Sequence, residues 1–218
     1  MERANNWFII KVTILFLVGV ILYITKLHEF SVVPYIASIL QLSIIGYLLA
    51  ITYKRSNISD TFYFIFGLLA LGMFILETVG VYTGHIFGEY QYGNGLAMQL
   101  FSVPIVIGLN WVVLQIGAMQ IVERHLKLCT DFSKAISTGF LMVIFDSIME
   151  PVAIQLDFWT WTGNTVPLQN YLVWFLYSFI AYYLLKDKLP LGKEWGSYFV
   201  IQIVYFLVLY LIKVIFLI

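Results

Sequence analysis

Two carboxylic acids lie four residues apart in an otherwise apolar stretch of the chain. Asp146 and Glu150 fall within the apolar segment 136–156, and Pro151 follows the second acid directly. Residues at positions i and i+4 share one face of a helix, with Cβ atoms about 6 Å apart. Two like charges at that spacing repel strongly in a low-dielectric medium, so we expect at least one acid to keep its proton near neutral pH. Such an acid is suited to donate that proton.

A third acid, Glu77, is expected about two turns from the outer end of its own apolar segment. An ionisable group at that depth costs roughly 2.5–3.5 kcal/mol on insertion scales, so it should be paired, protonated or functional. The remaining candidates, for substrate contact, are aromatic, amide and histidine side chains: His85, Tyr90, Tyr92, Asn110, Trp111, Trp159, Trp161 and Asn170. For Tyr92, placement at the membrane interface is an equally good interpretation. For Asn110 and Trp111, helix packing is equally good.

The composition is that of an integral membrane protein. With 61% hydrophobic residues, 11% charged residues and a mean hydropathy of +0.92, the chain is too apolar for a soluble globular domain. Charge clusters and turn residues separate seven apolar segments, at 7–25, 32–53, 62–83, 97–122, 136–156, 166–185 and 198–218. Each is close to the ~20 residues that a membrane-spanning helix needs. We therefore predict a single all-α domain, a polytopic bundle of about seven transmembrane helices.

The basic residues predict how this bundle is oriented in the cytoplasmic membrane. Of the 12 Lys and Arg residues, only Lys26 and Lys213 fall on the side opposite the N-terminus. Because cytoplasmic loops are enriched in Lys and Arg, the N-terminus is expected in the cytoplasm and the C-terminus outside. The first segment lacks a small-residue cleavage site before Lys26, so we expect it to be retained rather than cleaved as a signal peptide.

Several local features carry further expectations. Gly80 and Gly84 have the small-x-x-x-small spacing that lets two membrane helices approach closely. Pro104 is expected to kink the fourth helix, and Lys213 to extend towards the interface. A formal net charge of +0 gives no sign of a nucleic-acid partner, and the single Cys129 excludes a disulfide within this chain and carries no metal-ligand spacing.

Five short motifs follow one another in a characteristic order between about residues 70 and 178. They are TGHIFGEYQYG at 83–93, Val103-Pro104 with Trp111, Asp146 followed by Glu150 and Pro151, WTW at 159–161, and VPLQN at 166–170. Their order and spacing resemble the integral-membrane carotenoid biosynthesis family that includes the bisanhydrobacterioruberin and γ-carotene hydratases. Two departures from that family's pattern are Glu150, where hydratases often have Asp, and YLVWF after Asn170.

The resemblance implies hydration of the terminal C=C of an acyclic carotenoid end group, giving a tertiary alcohol. The residues favour the same chemistry, because an alkene must first be protonated by a neutral acid before water captures the cation. We expect Asp146 or Glu150 to donate the proton and Glu77 to be its partner or the base that orients water. Aromatic faces stabilise cations, and the expected pocket walls are Tyr90, Trp111, Trp159 and Trp161.

This chemistry requires no metal or redox cofactor. The expected partners are a lipophilic carotenoid and the lipid bilayer, with other enzymes of carotenoid biosynthesis as candidates and no nucleic acid. Three other interpretations remain open. Intramembrane acids also bind protons in proton-coupled transporters; an end-group cyclase would use the same protonation without adding water; and acids in a membrane can serve only to pair with Lys or Arg between helices.

Overall fold

A computed structural model describes residues 2–55, 60–127, 129–190 and 192–216, with the side chains of residues 2–5, 55 and 216 excluded. These residues form seven α-helices that run back and forth along the bundle: α1 (Glu2–Ile24), α2 (Val33–Arg55), α3 (Asp60–Thr83), α4 (Ile105–His125), α5 (Asp131–Gln155), α6 (Leu168–Leu185) and α7 (Glu194–Phe216). Four short strands lie between helices: β1 (Tyr90–Tyr92), β2 (Gln99–Leu100), β3 (Val103–Pro104) and β4 (Trp159–Trp161).

The predicted all-α polytopic bundle is confirmed. By length and composition, all the helices except α6 are apolar enough to cross a membrane. The exception has only 18 residues and carries two polar side chains, Gln169 and Asn170, in its first turn. It nevertheless packs along α5 more extensively than any other pair of helices in the described residues. Burial against a neighbour therefore compensates for its lower hydropathy.

Helix α4 is the centre of the bundle, in contact with α2, α3, α5, α6 and α7. Glycines allow the closest of these approaches. A Cβ atom at Gly108 would lie 2.3 Å from the carbonyl oxygen of Ala70 in α3, and one at Gly117 would lie 2.7 Å from that of Trp195 in α7. Any side chain at these two positions would push the neighbouring helices apart.

The expectation for the Gly80 and Gly84 pair was wrong. A Cβ at Gly80 would meet the ring of Phe87, in the loop that follows α3, rather than another helix. Gly84 has φ +67° and its N–H donates to the Gly80 carbonyl at 2.8 Å, so it terminates α3 in the left-handed conformation that glycine favours. Gly84 therefore ends helix α3, and Gly80 leaves space for the Phe87 ring of the following loop.

The fourth segment was also predicted wrongly at its start. Residues 99–104 form the β2–β3 hairpin, with Gln99 opposite Pro104, and α4 begins only at Ile105. Pro104 therefore precedes the helix and does not kink it. Proline disfavours the α conformation at the preceding residue, and apolar content alone does not separate a short strand from a helical turn.

Strands β1 and β4 pair antiparallel and join the α3–α4 connection to the α5–α6 connection. We call this pair of strands the aromatic ribbon. The ribbon covers one end of the bundle, which we call the site end. Successive side chains in a strand point to opposite faces, so Tyr90, Tyr92, Trp159 and Trp161 all face the helices. The intervening Gln91 and Thr160 are exposed.

Candidate active site

A cavity of about 320 Å³ lies beneath the aromatic ribbon. It is lined by all three candidate catalytic acids, which come from α3 and α5, and by most of the predicted substrate contacts: Tyr90, Tyr92, Asn110, Trp111, Trp159, Trp161 and Asn170. His85 is not among them. It is exposed in the turn after α3, where its carbonyl oxygen accepts a hydrogen bond from Gln169 Nε2 at 2.8 Å.

The helices set the depth of the acids. Glu77 is six residues before the end of α3, and Glu150 is five residues before the end of α5, which places both about 8–9 Å inside the bundle at 1.5 Å per residue. Asp146 lies one helical turn deeper than Glu150 on the same face of α5. The side chains of Glu77, Asp146 and Glu150 are almost completely buried, at 6%, 1% and 3% exposure.

Strand β1 holds Glu77. Its Oε2 accepts hydrogen bonds from the hydroxyls of Tyr90 and Tyr92, the latter at 2.9 Å. Burial and the adjacent Glu77 carboxyl raise the pKa of both phenols well above the usual tyrosine value. Both hydroxyls therefore stay protonated and act as donors to the carboxylate.

Strand β4 holds Glu150 in the same way. Its Oε2 accepts hydrogen bonds from Trp159 Nε1 and Trp161 Nε1, both at 3.0 Å. An indole N–H can only donate, so these two bonds occupy Oε2 and favour an acceptor there. The aromatic ribbon thus fixes one carboxylate with each of its strands.

Asp146 differs from the other two acids. Its Oδ2 accepts one hydrogen bond, from Asn170 Nδ2 at 2.7 Å, whereas its Oδ1 is buried and has no hydrogen-bond partner among the described residues. A buried polar atom without a partner costs about 1–3 kcal/mol. Oδ1 is therefore the carboxyl oxygen left for a substrate, a water molecule or a proton.

The cavity wall opposite the ribbon contains two residues that the sequence analysis did not select. Trp174 packs on Trp111 with ring centroids 4.5 Å apart, and Gln202 donates to Asn110 Oδ1 at 3.2 Å. Trp174 follows Asn170 by four residues, so the helical spacing that links Asp146 to Glu150 also pointed to it. Gln202 is the one amide in α7, and its polarity in an apolar helix was the available signal.

Among the described residues, no Lys or Arg side chain forms an ion pair with Glu77, Asp146 or Glu150; the ion pairs there join Lys134 to Glu123 and Lys186 to Asp131. Lys213 donates to the Pro151 carbonyl oxygen at 2.9 Å. The acids at the site end are therefore held by neutral donors.

Comparison with known proteins identifies the family to which the chain belongs. The model of the family described as carotenoid biosynthesis protein matches residues 30–218. This chain belongs to the carotenoid biosynthesis protein family. The predicted resemblance is therefore confirmed, and with it a role in carotenoid biosynthesis.

A curated relative of this carotenoid biosynthesis protein is the bisanhydrobacterioruberin hydratase of Haloarcula japonica. The two are 30% identical over 119 residues, which cover 52% of this chain and 41% of the relative. The matched region is thus less than half of the relative's length. No solved structure matches the chain.

The family and the apolar bundle agree with each other. Carotenoids are lipophilic, and six helices in the described part of this carotenoid biosynthesis protein have the length and composition of membrane spans. A multi-pass membrane protein with a buried, aromatic cavity can receive such a compound directly from the bilayer.

Proposed function

We propose that this protein is a carotenoid hydratase that adds water to the terminal C=C of an acyclic carotenoid end group and forms a tertiary alcohol. The observation that carries the proposal is the state of Asp146. One of its carboxyl oxygens accepts a hydrogen bond from Asn170, and the other, inside a cavity walled by tryptophans, has no hydrogen-bond partner among the described residues.

Asp146 is the proposed proton donor. An acid that protonates an alkene carbon must present an O–H group with no competing acceptor, because a C=C is a poor hydrogen-bond acceptor. Oδ1 of Asp146 meets that requirement, whereas one oxygen of Glu77 and one of Glu150 are each occupied by two donors. The hydrogen bond from Asn170 to Oδ2 orients the carboxyl group and leaves Oδ1 available.

Proton transfer from Asp146 to the less substituted alkene carbon breaks the π bond and leaves a tertiary cation on its neighbour. The faces of Trp111 and Trp174 can stabilise that cation, as can the carboxylate of Glu150, which its two indole donors favour in the ionised form. A water oxygen then bonds to the cationic carbon and loses one proton to a carboxylate. That carboxylate then releases its proton and Asp146 takes one up, which returns both groups to their starting protonation states.

We infer that water reaches this cavity across the aromatic ribbon. A second depression, of about 410 Å³, lies on the outer side of the aromatic ribbon among polar groups of the 83–91 and 160–162 segments. Tyr90 and Trp161 line both the depression and the cavity. Glu77, held by Tyr90 and Tyr92 next to this boundary, is the proposed base that accepts the proton of the attacking water.

The test is production of the chain in a host that accumulates lycopene, followed by chromatography of the pigments with mass detection. A hydratase yields a product heavier by one water with an unchanged polyene spectrum. A product of unchanged mass with a shifted spectrum would instead identify a cyclase, and unchanged pigment in cells that contain the folded protein would contradict hydration of lycopene. The variant Asp146→Asn, produced to the same level, is expected to leave the pigment unchanged.

A further inference from the structure

The active-site cavity extends sideways to a gap between α1 and α2. Each of these helices contributes one face to the cavity lining, at helical spacing: Leu15, Val18 and Leu22 from α1, and Ile36, Ala37 and Leu40 from α2. Residues three or four apart lie on one side of a helix. The lining face of α1 is apolar, and that of α2 is apolar except for Ser38 and Gln41; both faces border the cavity that contains the acids.

This gap is open to the surroundings of the bundle. Val18, Ile36 and Leu40 line the cavity and are also 46%, 50% and 39% exposed, and Ala37 is exposed as well. Among the described residues, the cavity-lining side chains that are exposed all belong to α1 or α2. We call the opening at Val18, Ile36, Ala37 and Leu40 the lipid window.

The window is framed by contacts at both ends. Phe8 of α1 stacks on Tyr47 of α2, with ring centroids 5.0 Å apart, at the end of the helices remote from the site. The turn between the helices, which includes residues 27–29, closes the other end. In between, α1 rests on α7 through Phe16 and Tyr205, 4.7 Å apart, and α2 rests on α4.

From this geometry we infer that the lipid window is the binding site for the polyene chain of the substrate, which enters end-first from the bilayer. The identity of the occupant rests on the proposed function. A cavity of about 320 Å³ is at the small end of ligand pockets and holds an end group. A conjugated polyene is straight and stiff, so the rest of the molecule must leave the cavity through the opening and lie among the lipid tails.

End-first entry has a chemical consequence. Only one end group reaches Asp146 at a time, so a carotenoid with two reactive ends must leave the window and re-enter in reverse. A singly hydrated product is therefore an obligatory free intermediate on the way to a doubly hydrated one.

The test uses substitutions that narrow the lipid window from α1 or from α2 and measures the lycopene that remains bound to the purified protein. Ala37→Trp on α2 and Val18→Trp on α1 place an indole in the opening, whereas Ile39→Trp and Leu17→Trp place the same group on lipid-facing positions that do not line the cavity. Each variant is purified from lycopene-producing cells, and the lycopene absorbance per mole of folded protein is compared with that of the wild type. We expect about a tenfold loss of retained lycopene in the two window variants and none in the two controls.

Equal retention in all four variants would overturn the inference, and so would an equal loss in all four, because the effect would not be confined to the window. Absence of retained lycopene in the wild type would overturn it as well. The readout is independent of turnover. A wild-type protein that retains lycopene but never hydrates it would refute the proposed function, while the difference between window and control variants would still establish the polyene site.

Discussion

Carboxylates that accept side-chain hydrogen bonds occur at both ends of this bundle, but their partners and their burial differ. At the end remote from the site, Glu123 accepts hydrogen bonds from Lys134 Nζ at 2.6 Å and from the Tyr182 hydroxyl at 2.9 Å, and Asp131 pairs with Lys186. At the site end, the hydrogen bonds that these acids accept from the described residues come from phenols for Glu77, from indoles for Glu150 and from an amide for Asp146.

Glu123 and Glu77 each bind a tyrosine hydroxyl, so an aromatic donor is common to both ends. The two ends differ in the partner cation and in burial, since the Glu123 side chain is 28% exposed and the site acids are at most 6% exposed. Lys134 places a positive charge against Glu123, and this ion pair joins α4 to α5. A carboxylate among neutral donors in a buried cavity can exist in either protonation state, because no fixed positive charge favours the anion. The comparison teaches that a buried acid is a candidate for proton transfer when its neighbours orient it without neutralising it.

The strongest test of this contrast is Asp146→Asn. The amide has the shape of the carboxyl group and can still accept the hydrogen bond from Asn170, but it has no acidic proton. We expect activity to fall by about 10²–10⁴-fold, the usual contribution of a general acid, with the yield and thermal unfolding of the purified protein little changed. Hydration at the wild-type rate would assign the proton to another group.

Glu150→Gln is expected to have the next largest effect. The glutamine carbonyl oxygen can still accept both indole N–H groups, so the aromatic ribbon should remain in place. The variant lacks the negative charge that stabilises the tertiary cation, which should lower the rate by about 10²-fold, as for the loss of one preorganised electrostatic group. A matched decrease in the amount of lycopene retained would instead show that Glu150 acts in binding.

Substitution of Tyr90 or Tyr92 is expected to lower the hydration rate by less, and it tests the role of the hydroxyls that hold Glu77. Tyr90→Phe and Tyr92→Phe each remove one of the two hydroxyls that hold Glu77, so one donor remains in either single variant. Each should slow hydration by roughly three- to tenfold, as expected for a hydrogen bond of about 0.5–1.5 kcal/mol. The double variant leaves Glu77 without a donor and should lose more than the product of the two single effects, measured as initial rates of product formation.

Much of this architecture could be predicted from the sequence. Apolar segments separated by charge clusters gave the seven helices, because membrane spans need length and hydrophobicity above all. Helical periodicity placed Asp146 and Glu150 together, and the cost of burying an acid marked Glu77. These inferences depend on the local spacing of residue types and on the hydrophobicity of each segment, and both can be read from a single sequence.

The pairing of β1 with β4 could not be predicted in the same way. It joins Tyr90 to Trp161 across 71 positions, and the alternation in YQY and WTW is too short to distinguish a strand from an interfacial loop. Nor did spacing show that Gly108 and Gly117, rather than Gly80 and Gly84, lie where helices touch, because close approach depends on the partner helix. The exposed position of His85 likewise depends on the turn that follows Gly84.

The smallest effect is predicted for a substitution at the end of the bundle remote from the site. It tests whether the ion-paired acid Glu123 contributes to stability rather than to activity. Glu123→Gln removes the charge that pairs with Lys134 but keeps an oxygen that can accept from Tyr182. Partly exposed ion pairs contribute at most about 1 kcal/mol, so we expect a slightly lower unfolding temperature in detergent and an unchanged hydration rate per folded molecule. If Glu123→Gln instead slowed hydration as much as Glu150→Gln, ion-paired and neutral-donor acids could not be separated by function. The proton would then have a path through the whole bundle, as in a proton-coupled transporter.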